Sequence, residues 1–320
     1  IAPLLAQGLA PVTLFAGKAT AVVSVILLML APLGILAIRA LVQGESGAAA
    51  FSLLGVYGGY LAIWGGLILL VSALARQRGV ALAALVAIWL LSVIIMPRLA
   101  VNLAGSLVPA PGKIETDLVM SRDLRSIGDG HDATAPVHEG LRGQLLSQYG
   151  VEHVEDLPVN FRGMVALASE EKLTKLLNQY AEAQMNRELE QARVIGAFGW
   201  VSPFVALSGA SRALAGTDLA GHHRFLRESE ALRFDFVQGL NAAHANELAY
   251  ADDISRNQDD AALRQARVGA DNWQVLKDFR FAPSPAAARL QEAAPFLVML
   301  AAWAAGLLAA LGLVAARLRP

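Results

Sequence analysis

Four long apolar stretches carry no charge at all, and between the third and the fourth lies a polar block of nearly two hundred residues. No charged residue falls between Lys18 and Arg39, between Glu45 and Arg76, between Arg78 and Arg98, or between Glu292 and Arg317. A helix needs roughly 20 apolar residues to cross about 30 Å of hydrocarbon. Each gap is close to that length or longer, so the chain reads as an all-α membrane protein with four crossings and one large insertion. Composition agrees: 55% of residues are hydrophobic and 17% charged, where soluble domains are about a quarter charged.

The pattern predicts spans over about 19–41, 51–75 and 79–98, the third ending at Pro97, and a last span over 291–316 with a tail at 317–320. Residues 99–290 are expected to form one extracytoplasmic helical domain, and residues 1–18 a short cytoplasmic or interfacial helix. Sidedness follows from charge. Lys18, Arg76, Arg78, Arg317 and Arg319 lie at one set of helix ends, with no acid among them. The positive-inside rule places those ends in the cytoplasm. The segment 106–290 holds 25 acids and 19 bases, a net charge of −6, and falls on the other side. There is no cysteine, so that domain must be held by packing rather than by disulfides.

Within the insertion, a proline-free run from Phe161 to about Phe198 places Leu173, Leu176, Leu177, Tyr180 and Ala181 on one helical face. A second rod is expected from Thr217 or Asp218 to about Tyr250, with Leu226, Leu232, Phe236 and Leu240 buried and the two rods antiparallel. Asn160 suits the first N-cap, and Thr217 or Asp218 the second. Asp252, Asp253, Asp259 and Asp260 read as solvated turns. Between the rods, Gly199 to Gly216 is apolar yet too interrupted to span. It reads as a re-entrant or surface-lying elbow, the alternative being an ordinary core segment. Gly55 and Gly59 have small-xxx-small spacing, which suits close helix approach within the chain or a dimer seam.

Leu4 to Lys18 reads Leu-Leu-Ala-Gln-Gly-Leu-Ala-Pro-Val-Thr-Leu-Phe-Ala-Gly-Lys. This resembles the cytoplasmic coupling segment of type 2 ABC exporter permeases. The runs Leu157 to Gly163, Ser202-Pro203 and Ser211 to Phe225 resemble an uncharacterised family of such permeases with a large periplasmic insertion before the last helix. The resemblance implies that Leu4, Leu5, Gln7, Pro11, Thr13 and Lys18 meet a separate ATPase subunit. It also marks Asn160, Arg162, Ser202, Pro203, Arg212, Gly216, Asp218, His222 and His223 as motif residues without an assigned role. Such permeases have six crossings, so two N-terminal helices are expected to be missing, in keeping with a chain that opens on Ile1.

The chemistry of catalysis is not legible here. Gly17-Lys18 is no phosphate loop, since position 12 is Val and position 19 is Ala; ATP and Mg are expected on the partner ATPase and no cofactor on this chain. His131, His138, His222 and His223 are weak metal candidates without a zinc spacing. Arg212 is expected to pair with Asp218 or with a lipid headgroup. The leading expectation is therefore a non-enzymatic permease subunit of an ATP-driven exporter, dimeric, in the bacterial inner membrane. The alternatives are an ABC-coupled mechanotransmitter acting on a periplasmic partner and a metal-handling membrane protein.

Overall fold

The structure is a computed structural model that describes residues 11–128, 130, 132–278 and 280–317. Every regular element among them is helical. Four helices are long and apolar enough to cross a membrane: α1 (Pro11–Val42), α2 (Gly47–Leu74), α3 (Arg78–Leu107) and α11 (Ala286–Arg317). The chain is an all-α membrane protein. It divides into two compact units, one of residues 1–109, 188–222 and 283–320, the other of 110–187 and 223–282. The expected single domain over 99–290 is thus corrected: residues 188–222 cluster with the spanning helices.

Two span boundaries also differ from expectation. Residues 11–17 are not a separate helix but open α1; proline at a helix start costs nothing, and an interior glycine only about 1 kcal/mol. The third span does not stop at Pro97. A π turn at Leu91–Ile95 widens the backbone just ahead of the proline, and the helix runs on to Leu107.

In the spanning unit, Gly65 of α2 would place a Cβ 2.7 Å from Val22, and Gly58 faces Leu30. The paired positions run in opposite order, so α1 and α2 are antiparallel. Gly66 meets Leu307 and Leu311, while Glu45, just before α2, bonds Arg289 near the start of α11. α2 and α11 therefore run parallel. The core is shared by Val56, Ile63, Ala206, Leu207, Ala210, Leu214, Met299, Leu300 and Leu307.

The second unit holds α4 (Lys113–Ile127), α5 (Glu139–Tyr149), most of α6 (Phe161–Ala197) and α8 (Leu219–Glu247), and the short α9 (Tyr250–Ser255) and α10 (Asp260–Gln265). Within it α6 and α8 are antiparallel. Glu182 pairs with Arg227, Thr174 accepts from Arg233, the Leu167 carbonyl accepts from Gln238, and Gly163 abuts Ala245. The Arg227 guanidinium holds the Glu182 carboxyl below its ordinary range, and a hydrogen bond to Asp123 raises the Tyr180 phenol. Leu232, Phe236 and Leu240 are half-buried, but Leu226, expected inside, is exposed. A small core of Leu145, Val154, Leu157, Phe161 and Val165 closes one end.

Candidate functional site

The Gly199 to Gly216 elbow is packed inside the helical bundle, so the surface-lying alternative does not hold. Residues 188–197 of α6, a 3-10 turn at Phe198–Trp200 and α7 (Pro203–Ala215) form a re-entrant hairpin. Thirteen residues reach only about 20 Å, short of a crossing. At its open end Gln191 donates to the Val108 carbonyl (2.8 Å), and Gly216 lies against Arg289. At its tip the Gly199 carbonyl accepts from Trp303 Nε1 (3.1 Å), and Ser202 meets Ser92. Trp303 and Ser92 both stand near the middle of their spans, so the tip lies at mid-bundle.

Irregular backbone at membrane depth survives only where its polar groups are satisfied inside protein. Here the partners can be named. In the widened turn of α3 the Met96 amide bonds the Leu91 carbonyl, five residues back. In that register the Ser92 carbonyl awaits the amide of residue 97, which is proline and has none. The Ser202 hydroxyl donates to that carbonyl instead (2.8 Å) and accepts from the Val205 amide (3.3 Å), capping α7. Ser202 is fully buried.

Ser202→Ala loses a cap, about 1 kcal/mol, and orphans a buried carbonyl, about 1–3 kcal/mol. In a Pro97→Ala background the amide returns and the second cost disappears. Unfolding of the purified chain in detergent should show the Ser202→Ala cost falling by at least about 1 kcal/mol in that background. Equal costs in both backgrounds would refute a shared carbonyl.

Small residues seat the hairpin. A Cβ at Gly209 would stand 2.4–2.5 Å from three atoms of the Phe296 ring, and one at Gly199 2.5 Å from Met299 Sδ. Ala206, Ala210 and Ala213 are buried alongside, and Ser211 shares a hydrogen bond with Tyr57 (3.1 Å). Gly55 and Gly59 do not make the expected approach to a neighbouring span. They line an open groove of about 330 Å³ between α2 and α11, while Gly58, Gly65 and Gly66 make the intrachain approaches.

At the open end Gly216 adopts φ 68°, and a Cβ there would stand 3.1 Å from Arg289 Nε. Glycine meets both demands. Arg289 is 6% exposed; its Nε donates to the Ser284 carbonyl (2.8 Å) and its Nη1 to Glu45 Oε1 (3.1 Å). Arg212 is exposed and bonds the Ser208 carbonyl, and its expected pairing with Asp218 is absent among the described residues. Asp218 caps α8 through the Gly221 amide. Pro203 opens α7 and is buried.

In the second unit Asn160 and Arg162 converge with three residues that the sequence pattern had not linked to them. Asn160 Oδ1 accepts from the Arg162 and Gly163 amides, capping α6 as expected. Its Nδ2 donates to the Leu248 carbonyl and to Asp253 Oδ2, both at 3.3 Å. Asp253 is fully buried, where a solvated turn was expected. It also bonds His244 Nε2 (2.9 Å) and pairs with Arg162 (3.6 Å) and Arg256 (3.4 Å). Four groups converge on this carboxylate, and two of them, Asn160 and Arg162, are more than ninety positions away, which no local spacing shows.

Of the histidines, His138 and His223 are buried, His222 is exposed, and His131 lies outside the described residues. No cluster of three metal-ligating residues occurs among the described residues. Arg224 lies over the Phe281 ring and donates to the Ala282 carbonyl. Leu4, Leu5 and Gln7 lie outside the described residues, and Pro11, Thr13 and Lys18 stand in α1.

No curated protein and no solved structure matches the chain. Residues 113–282, more than half of the chain, match a family described as a domain of unknown function, DUF3526, and the chain belongs to that family.

Proposed function

We propose that the chain is the membrane-spanning permease subunit of an ATP-driven ABC exporter in the bacterial inner membrane. It works as a dimer with a separate ATPase subunit that binds ATP and magnesium, and the second unit, residues 110–187 and 223–282, faces the periplasm. The observation that most favours this reading is the re-entrant hairpin. A half-length helix is seated on glycine and alanine, with Ser202 and Ser211 among its few side-chain hydrogen bonds. Such an element can shift as a body between two packings, which is what a gated path requires. The bases Arg76 and Arg78 follow the end of α2, on the side of the bundle where the antiparallel α1 begins, and the sequence has no phosphate loop of its own. ATP-driven closure of the partner would press on residues 4–18 and rearrange the spans.

The test is purification of the full-length protein from its native membrane after gentle crosslinking. A stoichiometric ATPase should accompany it, and Leu5→Asp should release that partner while leaving the permease folded. Isolation without any ATPase under those conditions would overturn the reading.

A further inference from the structure

At the bundle end that carries the 43–46 loop, the structure holds a second feature that the hairpin does not explain. A crevice of about 270 Å³ lies among α1, α2 and the end of α7, walled by residues such as Leu36, Ala40, Ala50, Leu53 and Leu214. Its polar lining is the Glu45–Arg289 pair. Arg289 is more than nine-tenths buried. Its Nε and Nη1 are used, but Nη2 donates to no described residue. Glu45 Oε1 takes two hydrogen bonds, from Arg289 and from the Ser46 amide, and Oε2 takes none among the described residues.

We infer that this crevice is a binding site for a phospholipid with an ethanolamine headgroup. The phosphate would accept from Arg289 Nη2, the ammonium would donate to Glu45 Oε2, and an acyl chain would lie along Leu36, Ala40 and Leu53. Three physical points select this occupant. The pair sits in a loop between two spans and at the start of a third, the depth of headgroups, with apolar walls running toward the hydrocarbon. A guanidinium that lines the crevice with an open N–H donor group matches a phosphate. A free carboxylate oxygen beside it calls for an N–H donor, which ethanolamine has and choline lacks. A helix of a second copy, about 10–12 Å across, is too wide for this volume. The inference does not depend on the exporter reading.

Native mass spectrometry of the full chain, released from nanodiscs of equal phosphatidylethanolamine, phosphatidylglycerol and phosphatidylcholine, tests it. The wild type should retain one phosphatidylethanolamine at least fivefold over either competitor. Glu45→Gln should shift retention toward phosphatidylglycerol, because an anionic head no longer faces a carboxylate. Ala40→Phe, which fills the crevice and leaves the pair intact, should lower retention at least fivefold without changing the thermal midpoint. Retention with no headgroup preference in the wild type would overturn the inference. So would an unchanged preference in Glu45→Gln together with full retention in Ala40→Phe.

Discussion

Gly163→Val will unfold the α6–α8 end of the second unit under conditions in which the wild type is stable. A Cβ at Gly163 would stand 2.4 Å from the Ala245 amide nitrogen and 2.5 Å from its Cα. Those are backbone atoms, so no rotamer change relieves the clash. Overpacking costs about 1–3 kcal/mol where side chains can give way; here the helices themselves must part, and the cost exceeds about 3 kcal/mol. Separation also strains the Asn160 amide to Ala245 carbonyl bond, 2.7 Å long. Hydrogen exchange should therefore rise together over residues 160–165 and 243–253 in a folded membrane preparation. Ala245→Gly should not rescue the variant, because the backbone atoms remain. A midpoint within about 2 °C of the wild type would show that the approach is looser than described.

Asp253→Ala is the second large effect. The carboxylate is fully buried and answers Arg162, Arg256, His244 and Asn160 at once. Removing one partner of a buried charged network costs about 3–5 kcal/mol. Arg162 and Arg256 keep 34% and 45% side-chain exposure, so both can rehydrate, and the lower end of that range applies. Asp253→Asn keeps the shape and one acceptor and should lose less. Tyr250 packs on the small core of this unit, so loss of the anchor at α9 should raise exchange over 248–256 and at Phe161. A stability change under about 1 kcal/mol for Asp253→Ala would mean that the carboxylate is hydrated in solution.

How far each of these features could be read from the residues alone depends on its range. The four crossings were legible because hydrophobic length is a property of a contiguous stretch. The caps Asn160 and Asp218 were legible because a cap acts within three residues. The first rod, expected to reach about Phe198, ends as an α-helix at Ala197. The end of the third span was not legible, because Pro97 alone argues for a stop. What overrides it is a π turn whose spare carbonyl is answered by Ser202, 110 positions away. Asp253 has the composition of a surface turn, and only the convergence of two helix ends and a corner buries it. Arg289 stands between Ala288 and Leu290 with no acid beside it, and the groups that cover it, Gly216 and Glu45, are each remote in sequence. Gly55 and Gly59 have the spacing of a packing seam, but which neighbour faces them depends on helix rotation, which spacing does not determine.

The bond from Ser202 to Ser92 differs in kind from the ladder that it completes. An amide proton is fixed to the backbone, whereas a hydroxyl rotates about its own carbon and can exchange one acceptor for another or for a water. The π turn of α3 is thus closed by a removable plug. Withdrawing it leaves the remaining rungs of the helix intact, so the loop that carries it can retreat and reseat without melting the segment it serves.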